Sequence, residues 1–555
     1  MEIHHHHFPP TEVKFLRHYS LIFLLLIVIF GCTSTVRKSA DQLGEINFVV
    51  HGNKEAQPFF QKGLLLLHSF EYDDAAENFV QAEQLDSTCV MAYWGEAMTY
   101  NHQLWRFQDY EKGKAALNKL ASTPEARRGK ATSELEKDFI SAADVLYGVG
   151  SKATRDSLYA IYMSGMYKKY PGNNEVAAFY SVALLGSVEV GRNDSVYEHA
   201  ADIAKEVLSR NPNHPGALHY LIHSYDDPHH AQMALMAADE YSVVAPSAGH
   251  ALHMPSHIYL ALGMWDKVVS SNEESWAATV QRKENKQLTN NALGYHYFQW
   301  LQYGYLQQGR KDEAKEMLKE MKVYCDTLPS ARAREHLVYM KATYIIETGD
   351  WDSDVMAINV DLDELNISTQ AMYYFIDGLN AYNENDSKTL SSTILQLTGV
   401  RLVALEKVSG NTIGVCGSVN GNLPNLLDVQ QAEVMELELR ALQSWMKKDT
   451  VATDSFFMKA TTLENSISYS FGPPVIIKPS NEMYGEWLLE MNRPQEALQQ
   501  FNSSLRGAPN RVLSLQGKLK AAKVVGDQQA ISKTDSTLND ISNKAVNMEK
   551  KKSSP

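Results

Sequence analysis

The sequence predicts an all-α chain in which short antiparallel helix pairs stack into a solenoid. Three observations carry that prediction. Residues recur thirty-four apart: His219 with His253, His223 with His257, Tyr225 with Tyr259, and Pro212 with Pro246. A period of about 34 residues is that of a helix–turn–helix repeat. Within each period, apolar residues fall three and four apart, the spacing of one helix face. Finally, no long alternating strand, Rossmann glycine pattern, P-loop or nucleophile elbow occurs.

Taken in order, the chain opens on a targeting segment. Lys14 and Arg17 precede an apolar run from Leu21 to Phe30. Ten residues are too few to span a bilayer, which takes about twenty, so the run reads as the core of a secretory signal. Ile29-Phe30-Gly31-Cys32 resembles the bacterial lipobox, which implies cleavage before Cys32 and its lipidation. Residues 1–31 are then the signal peptide. Residues 32–53, polar and mixed, read as a linker from the lipid to the folded body.

Helix pairs begin near Ala56. Phe59, Gly63, Leu66, Ala75, Phe79 and Ala82 supply small and large packing residues, and Tyr93, Ala97 and Tyr100 repeat the first three of them thirty-four residues on. Small residues let two helices approach and large ones fill the gap to the next pair. Residues 105–175 keep helical periodicity with fewer repeat marks, and Pro171-Gly172 ends that stretch. The pattern sharpens from Glu175. Pairs are expected over Pro215–Ala248, Gly249–Arg282, about Leu293–Tyr324, and from Arg334 through a turn at Gly349-Asp350-Trp351. Gly263 and Gly309 occupy equivalent turn positions. A Gly- and Asn-rich loop, Gly410–Asn425, interrupts the later pairs, and Lys478–Pro509 is the last clear repeat. The Lys-rich tail reads as frayed. The expected organisation is 54–175 for the N-terminal and irregular pairs, 176–330 for the central repeats, 331–542 for the C-terminal repeats and 543–555 for the tail.

These marks resemble the tetratricopeptide repeat. The resemblance implies a right-handed α-solenoid, here of about ten to twelve helix pairs from length and period. More specific pieces, HSFEYDDAAENF, MAYWGEAMTYNH, HYLIHSYDDP, HALHMPSHIYLALGMWD and FGPPVIIKPS, resemble a group of secreted or lipid-anchored bacterial tetratricopeptide proteins with no settled activity. In such arrays the second, fifth and ninth residues of each first helix face the concave groove. On that frame His219 and His223 come from one repeat. The next contributes His250, His253 and His257, and the one after it His296, Gln299 and Tyr303.

Histidines four apart on one helix can chelate one ion, and helices packed about 8–10 Å apart bring neighbouring pairs together. A site of imidazoles suits a transition metal such as zinc, copper or iron, rather than calcium or magnesium. His219, His223, His250, His253 and His257 are the candidate ligands. Asp226 and Asp227, one turn beyond His223, can orient an imidazole, ligate, act as a base, or simply cap the helix. Glu482 and Glu486 fall at groove positions of their own helix and can take a cationic ligand, or stand as ordinary exposed glutamates. Tyr93, Trp94, His102 and Trp105 either line one end of the groove or pack between repeats. His214, His229 and His230 sit near turns and are expected to face solvent.

Composition limits the partners. The 555 residues carry a formal net charge of −14, which speaks against a nucleic-acid backbone as the main partner. Beyond Cys32, the three cysteines Cys89, Cys325 and Cys416 are widely spaced and show no disulfide framework. Two functions from different classes remain open. One is an envelope-anchored scaffold whose groove binds a protein or small-molecule partner at the histidine-rich site. The other is a metal-dependent hydrolase or oxidoreductase using the same residues. Thr33 after the lipid cysteine resembles outer-membrane sorting in Gram-negative bacteria. Membrane contact is expected through the anchor.

Overall fold

A computed structural model describes residues 42–189, 191–408 and 424–553. The signal segment, Cys32 and nearly all of the Gly410–Asn425 loop, including Cys416, lie outside the described residues. Leu43 to Pro555 make one compact unit.

The unit is a tetratricopeptide-type solenoid of antiparallel helix pairs. α1 (Gln57–His68) pairs with α2 (Tyr72–Leu85), and α3 (Val90–Thr99) with α4 (Tyr110–Leu120). A short antiparallel hairpin, β1 (Asn101–His102) with β2 (Phe107–Gln108), is inserted between α3 and α4. α5 (Pro124–Lys130), α6 (Glu134–Leu146) and α7 (Lys152–Lys169) fill the irregular stretch. α8 (Asn174–Ser187) then pairs with α9 (Asp194–Arg210), and α10 (Pro215–Ser224) with α11 (Leu235–Val244). α12 (Gly249–His253) and α13 (Pro255–Ala261) together pair with α14 (Trp265–Lys286), and α15 (Tyr295–Gln307) pairs with α16 (Lys311–Thr327). α17 (Ala331–Thr348) is followed by α18 (Ile367–Asn383), α19 (Ser387–Lys407), α20 (Leu426–Met446), α21 (Thr450–Ser466), α22 (Ser480–Glu490), α23 (Pro494–Gly507), α24 (Val512–Val525) and α25 (Gln528–Ser553).

The first repeat shows why the pairs form. Phe79, Ala75 and Ala82 of α2 are fully buried, and removing a phenyl ring from water contributes about 2–3 kcal/mol. Phe60, not Phe59, is the fully buried aromatic of α1. Phe60 packs on Phe79 and on Phe48. Phe48 belongs to residues 42–53, expected as linker, yet Leu43, Phe48 and Val50 are buried and Glu45 N donates to Asn213 O. Apolar side chains in that stretch bind it to the body.

Three further expectations are corrected. The first helix of the Gly249–Arg282 repeat breaks into α12 and α13 at Met254-Pro255, since proline supplies no amide donor to an interior helical turn. The Gly349 turn is present, with φ 66°, but residues 350–366 form irregular turns and no partner helix follows it. That stretch is held instead by side chains of α17. Arg334 donates to the carbonyls of Asp361 and Asp363, and Lys341 to those of Met356 and Ile358. The tail continues as helix to Ser553 within α25.

Both ends of the unit fold back on its middle. Arg282 and Lys286 of α14 bind Asp74 of α2, and Glu71 accepts from His250 N at 2.8 Å. From the other end, Trp265 donates to Asn510 O at 3.0 Å and Val512 N donates to Gln307. Residues 467–479 also reach the central helices: Phe471 packs into the core and Gly472, at φ 102°, lies on Trp300, where a Cβ would come within 2.4 Å of the indole. Among the described residues no helix is long and apolar enough to cross a membrane.

Candidate functional site

The histidines expected in one groove form two triads. His219 and His223 of α10 are joined by His250 of α12, and His253 and His257 by His296 of α15. Within each triad the candidate ligand atoms all lie within 4.8 Å of one another. The rule behind them is simple: the fifth and ninth residues of one repeat meet the second residue of the next. The five candidate ligands expected in one groove are thus divided between two sites, because each HxxxH pair finds its third partner in the following helix. The triads adjoin, with His223 and His257 ring centres 5.9 Å apart and His250 and His253 6.1 Å apart.

Hydrogen-bond bookkeeping decides the protonation of the second triad. His257 Nδ1 lies 2.5 Å from Asp226 Oδ2. His253 Nδ1 lies 2.6 Å from Asn272 Oδ1, whose amide is oriented by Nδ2 donating to Val268 O at 2.8 Å. Ser256 Oγ is also 3.3 Å from His253 Nδ1. Carboxylate and amide oxygens only accept, so both imidazoles carry their proton on Nδ1. Their Nε2 atoms then face each other at 3.2 Å, a contact that needs a proton or a cation between them. His296 Nε2 is shut from solvent without a hydrogen-bond partner. Trp300 closes one side, 4.5 Å from His257 and 4.9 Å from His253 between ring centres.

The first triad follows the same plan with one freedom more. His219 Nδ1 donates to the His68 carbonyl at 2.7 Å, leaving Nε2 bare 3.1 Å from His223 Nε2. His223 can donate across that gap. His250 Nε2 is buried without a hydrogen-bond partner. Phe70 covers this triad, 4.3 Å from His219 and 5.7 Å from His250, and Trp105 borders it, 5.8 Å from His250.

Burial keeps five of these rings neutral. It lowers His219 to about 3, against the counteracting bond to the His68 carbonyl. It holds His223, His250, His253 and His296 well below their ordinary value, and neighbouring imidazoles add to the effect. Neutral imidazole is the ligating form.

A third cluster with similar spacing behaves differently. His68, Glu175 and His214 also converge, and none of them stood out in the sequence. His214 was expected to face solvent but is fully buried. Its Nδ1 caps α10 by accepting from Ala217 N, so its Nε2 carries the proton and donates to Glu175 at 3.1 Å. His68 Nε2 lies 2.7 Å from the other Glu175 oxygen, and His68 Nδ1 2.9 Å from Tyr220 OH. Each of these groups has a protein partner, so the cluster is complete as a staple between α1, α8 and α10. Burial would raise Glu175, but His214 and His68 pull it far below the usual carboxylate range. Gly216, at the repeat position that holds His250 one repeat later, leaves room for His68: a Cβ there would lie 2.3 Å from His68 Nδ1. The thirty-four-residue spacing of His68 and His102 is the one sequence signal that touches this cluster.

Other expected residues fall outside the triads. Asp226 is the orienting partner of His257. Asp227 instead binds Arg192 and His230. His230 is half-buried there and His229 exposed. Tyr303 and Glu482 belong to a buried ion-pair network in which Arg511 binds Glu482, Glu347 and the Tyr303 hydroxyl. Glu486 binds Lys478. The two glutamates therefore do not share a cation site, because cations of the chain already hold them. Trp94 packs between Phe139 and Phe179, while His102 stacks on Tyr72 with ring centres 3.8 Å apart.

No protein-family profile matches the chain, and no protein of curated function does. Solved structures similar to it include the human IFIT1 dimer with PPP-AAAA, at 13% identity over 93% of this chain and 100% of that one, TM-score 0.36. Others are the Cut9–Hcn1 hetero-tetramer of APC/C, at 12% identity over 91% and 81%, TM-score 0.34, and yeast Tom70, at 12% over 86% and 96%, TM-score 0.32. At such values nothing about the site is carried over from them.

Proposed function

We propose that the chain is an envelope-anchored tetratricopeptide protein that binds transition-metal ions through its two histidine triads. The observation that carries this is the His253–His257 pair. Two buried Nε2 atoms stand 3.2 Å apart, with both Nδ1 protons committed to Asp226 and Asn272. Two such nitrogens attract only across a proton or a metal cation. Zn–N bonds of about 2.0–2.1 Å in tetrahedral geometry put ligand nitrogens about 3.3–3.4 Å apart, close to the spacing here. Zinc, copper or iron each suits an imidazole set. The Nδ1 partners are of the kind that fix ligand tautomers in metal sites.

A second reading uses the same residues. Three protein ligands leave a coordination position open, the pattern of catalytic rather than structural zinc. A metal-dependent hydrolase or oxidoreductase is therefore favoured over a purely structural ion. The rest of the repeat surface supports a protein or small-molecule partner, by analogy with the fold. The lipobox-like Ile29–Cys32 run supports the anchor.

The test is elemental analysis of the purified mature chain, without His4 to His7, beside His257→Ala and His223→Ala. The expected result is stoichiometric transition metal, with each variant losing its own triad's share. Metal-free parent protein would sink the reading and leave a proton shared by His253 and His257 as the occupant. Loss of palmitate labelling in Cys32→Ala tests the anchor.

A further inference from the structure

Where the connection between α8 and α9 meets the Asp226-Asp227 turn, buried hydrogen-bonding groups gather without partners. Arg106 lies between β1 and β2 in left-handed backbone conformation, φ 55°, an uncommon state for a residue with a side chain. Its Nη1 donates to Gly186 O at the end of α8, at 2.8 Å. Its Nε and Nη2 are shut from solvent and bonded to nothing. Arg192, in the α8–α9 connection, donates to Ser224 O at 2.9 Å and pairs with Asp194 and Asp227, but its Nη2 is likewise buried and unanswered. The Arg192 guanidinium lies 4.6 Å from the ring centre of Tyr197 in the first turn of α9. Tyr197 is fully buried and its hydroxyl has no partner. Asn101, only 3% exposed, has both amide atoms unbonded.

Each buried donor left unanswered costs about 1–3 kcal/mol, so a concentration of them on two guanidinium groups and a phenol calls for an acceptor. Of the chain's own carboxylates here, Asp156 binds Lys152 at 2.6 Å through Oδ2 and keeps a buried Oδ1 without a partner, and Asp227 binds Arg192 Nη1 and His230, leaving Arg192 Nη2 unanswered. Guanidinium forks match planar or tetrahedral oxyanions. We propose that Arg106, Arg192 and Tyr197 form an oxyanion niche that holds the carboxylate or phosphate group of a small ligand. Burial raises the Tyr197 hydroxyl above its ordinary value, against the pull of Arg106 and Arg192, so it stays a donor. The niche shares the Ser224–Asp227 turn with Asp226, the support of the second triad. It does not depend on a metal.

The experiment is calorimetric titration of the metal-stripped full chain with inorganic phosphate and, separately, acetate. At least one binds to the parent. Arg106→Gln weakens that binding about tenfold or more, the loss of one charge-assisted fork. Tyr197→Phe also weakens it, yet raises the melting temperature, because it deletes a buried hydroxyl that has no partner. If Arg106→Gln fails to fold by circular dichroism, Tyr197→Phe decides. The niche is refuted if neither anion binds the parent, as when water alone fills the space, or if the folded variants bind as the parent does. The pair of probes tells a phosphate from a carboxylate ligand.

Discussion

Asp226 Oδ2 accepts from His257 Nδ1 at 2.5 Å, both side chains fully buried. This bond joins the turn after α10 to α13 in the next repeat, and it turns His257 Nε2 toward His253 Nε2. The function proposed for the triad depends on that orientation more than on the presence of histidines.

Asp226→Asn should therefore weaken metal binding at the His253 triad by about 10–100-fold, the usual cost of losing a partner behind a ligand histidine. An asparagine can turn its NH2 group toward Nδ1 and favour the wrong tautomer. Competition against a chromogenic chelator measures this. Parent-like affinity would mean that Asp226 only caps the turn.

Glu175→Gln should behave in the opposite way. It removes the buried charge shared by His68 and His214, and its NH2 group finds an acceptor only when His68 carries its proton on Nδ1, toward Tyr220. A destabilisation of about 2–4 kcal/mol is expected, in line with removing one partner of a buried charged network. Metal stoichiometry should hold in the folded fraction. Urea denaturation followed by metal analysis separates the two effects; loss of metal without loss of stability would show that the third cluster is itself a metal site.

Glu438 of α20 is fully buried and neither carboxylate oxygen has a partner. Burial, then the nearby Glu464, raises it well above the ordinary value of 4.5, only partly offset by Lys478. A carboxyl raised on folding binds its proton more tightly in the native state. Its cost is absent at pH below about 4 and grows as the pH rises through and beyond the unfolded value. Glu438→Gln should stabilise the chain by about 1–3 kcal/mol at pH 8 and by little at pH 4. Thermal melts of parent and variant at both values check the sign.

Much of this was legible in the sequence because it is periodic. Repeat spacing and helical periodicity predicted the α-solenoid, and the paired HxxxH motifs pointed to the residues that converge. His250 and His296 were also marked, as second residues of their repeats. Their assignment to separate triads was not, since periodicity says which residues share a face and not which neighbouring helix each side chain leans toward. The missing partner helix after Gly349 and the ordered residues 43–50 escaped for a related reason: neither follows the period.

What the sequence determined by itself was local and repetitive: helix pairs, their turns, and a concentration of imidazoles in consecutive repeats. Only the tertiary structure decided what surrounds them. Contacts such as His219 with the His68 carbonyl span 151 positions, and those of Arg511 with Tyr303 span 208. They exist because the array curls until its ends meet its middle. That closure removes water from the histidines and holds His219, His223, His250, His253 and His296 neutral. It also puts the groove-facing histidines in an interior, where every lone pair needs a proton or a cation to face it.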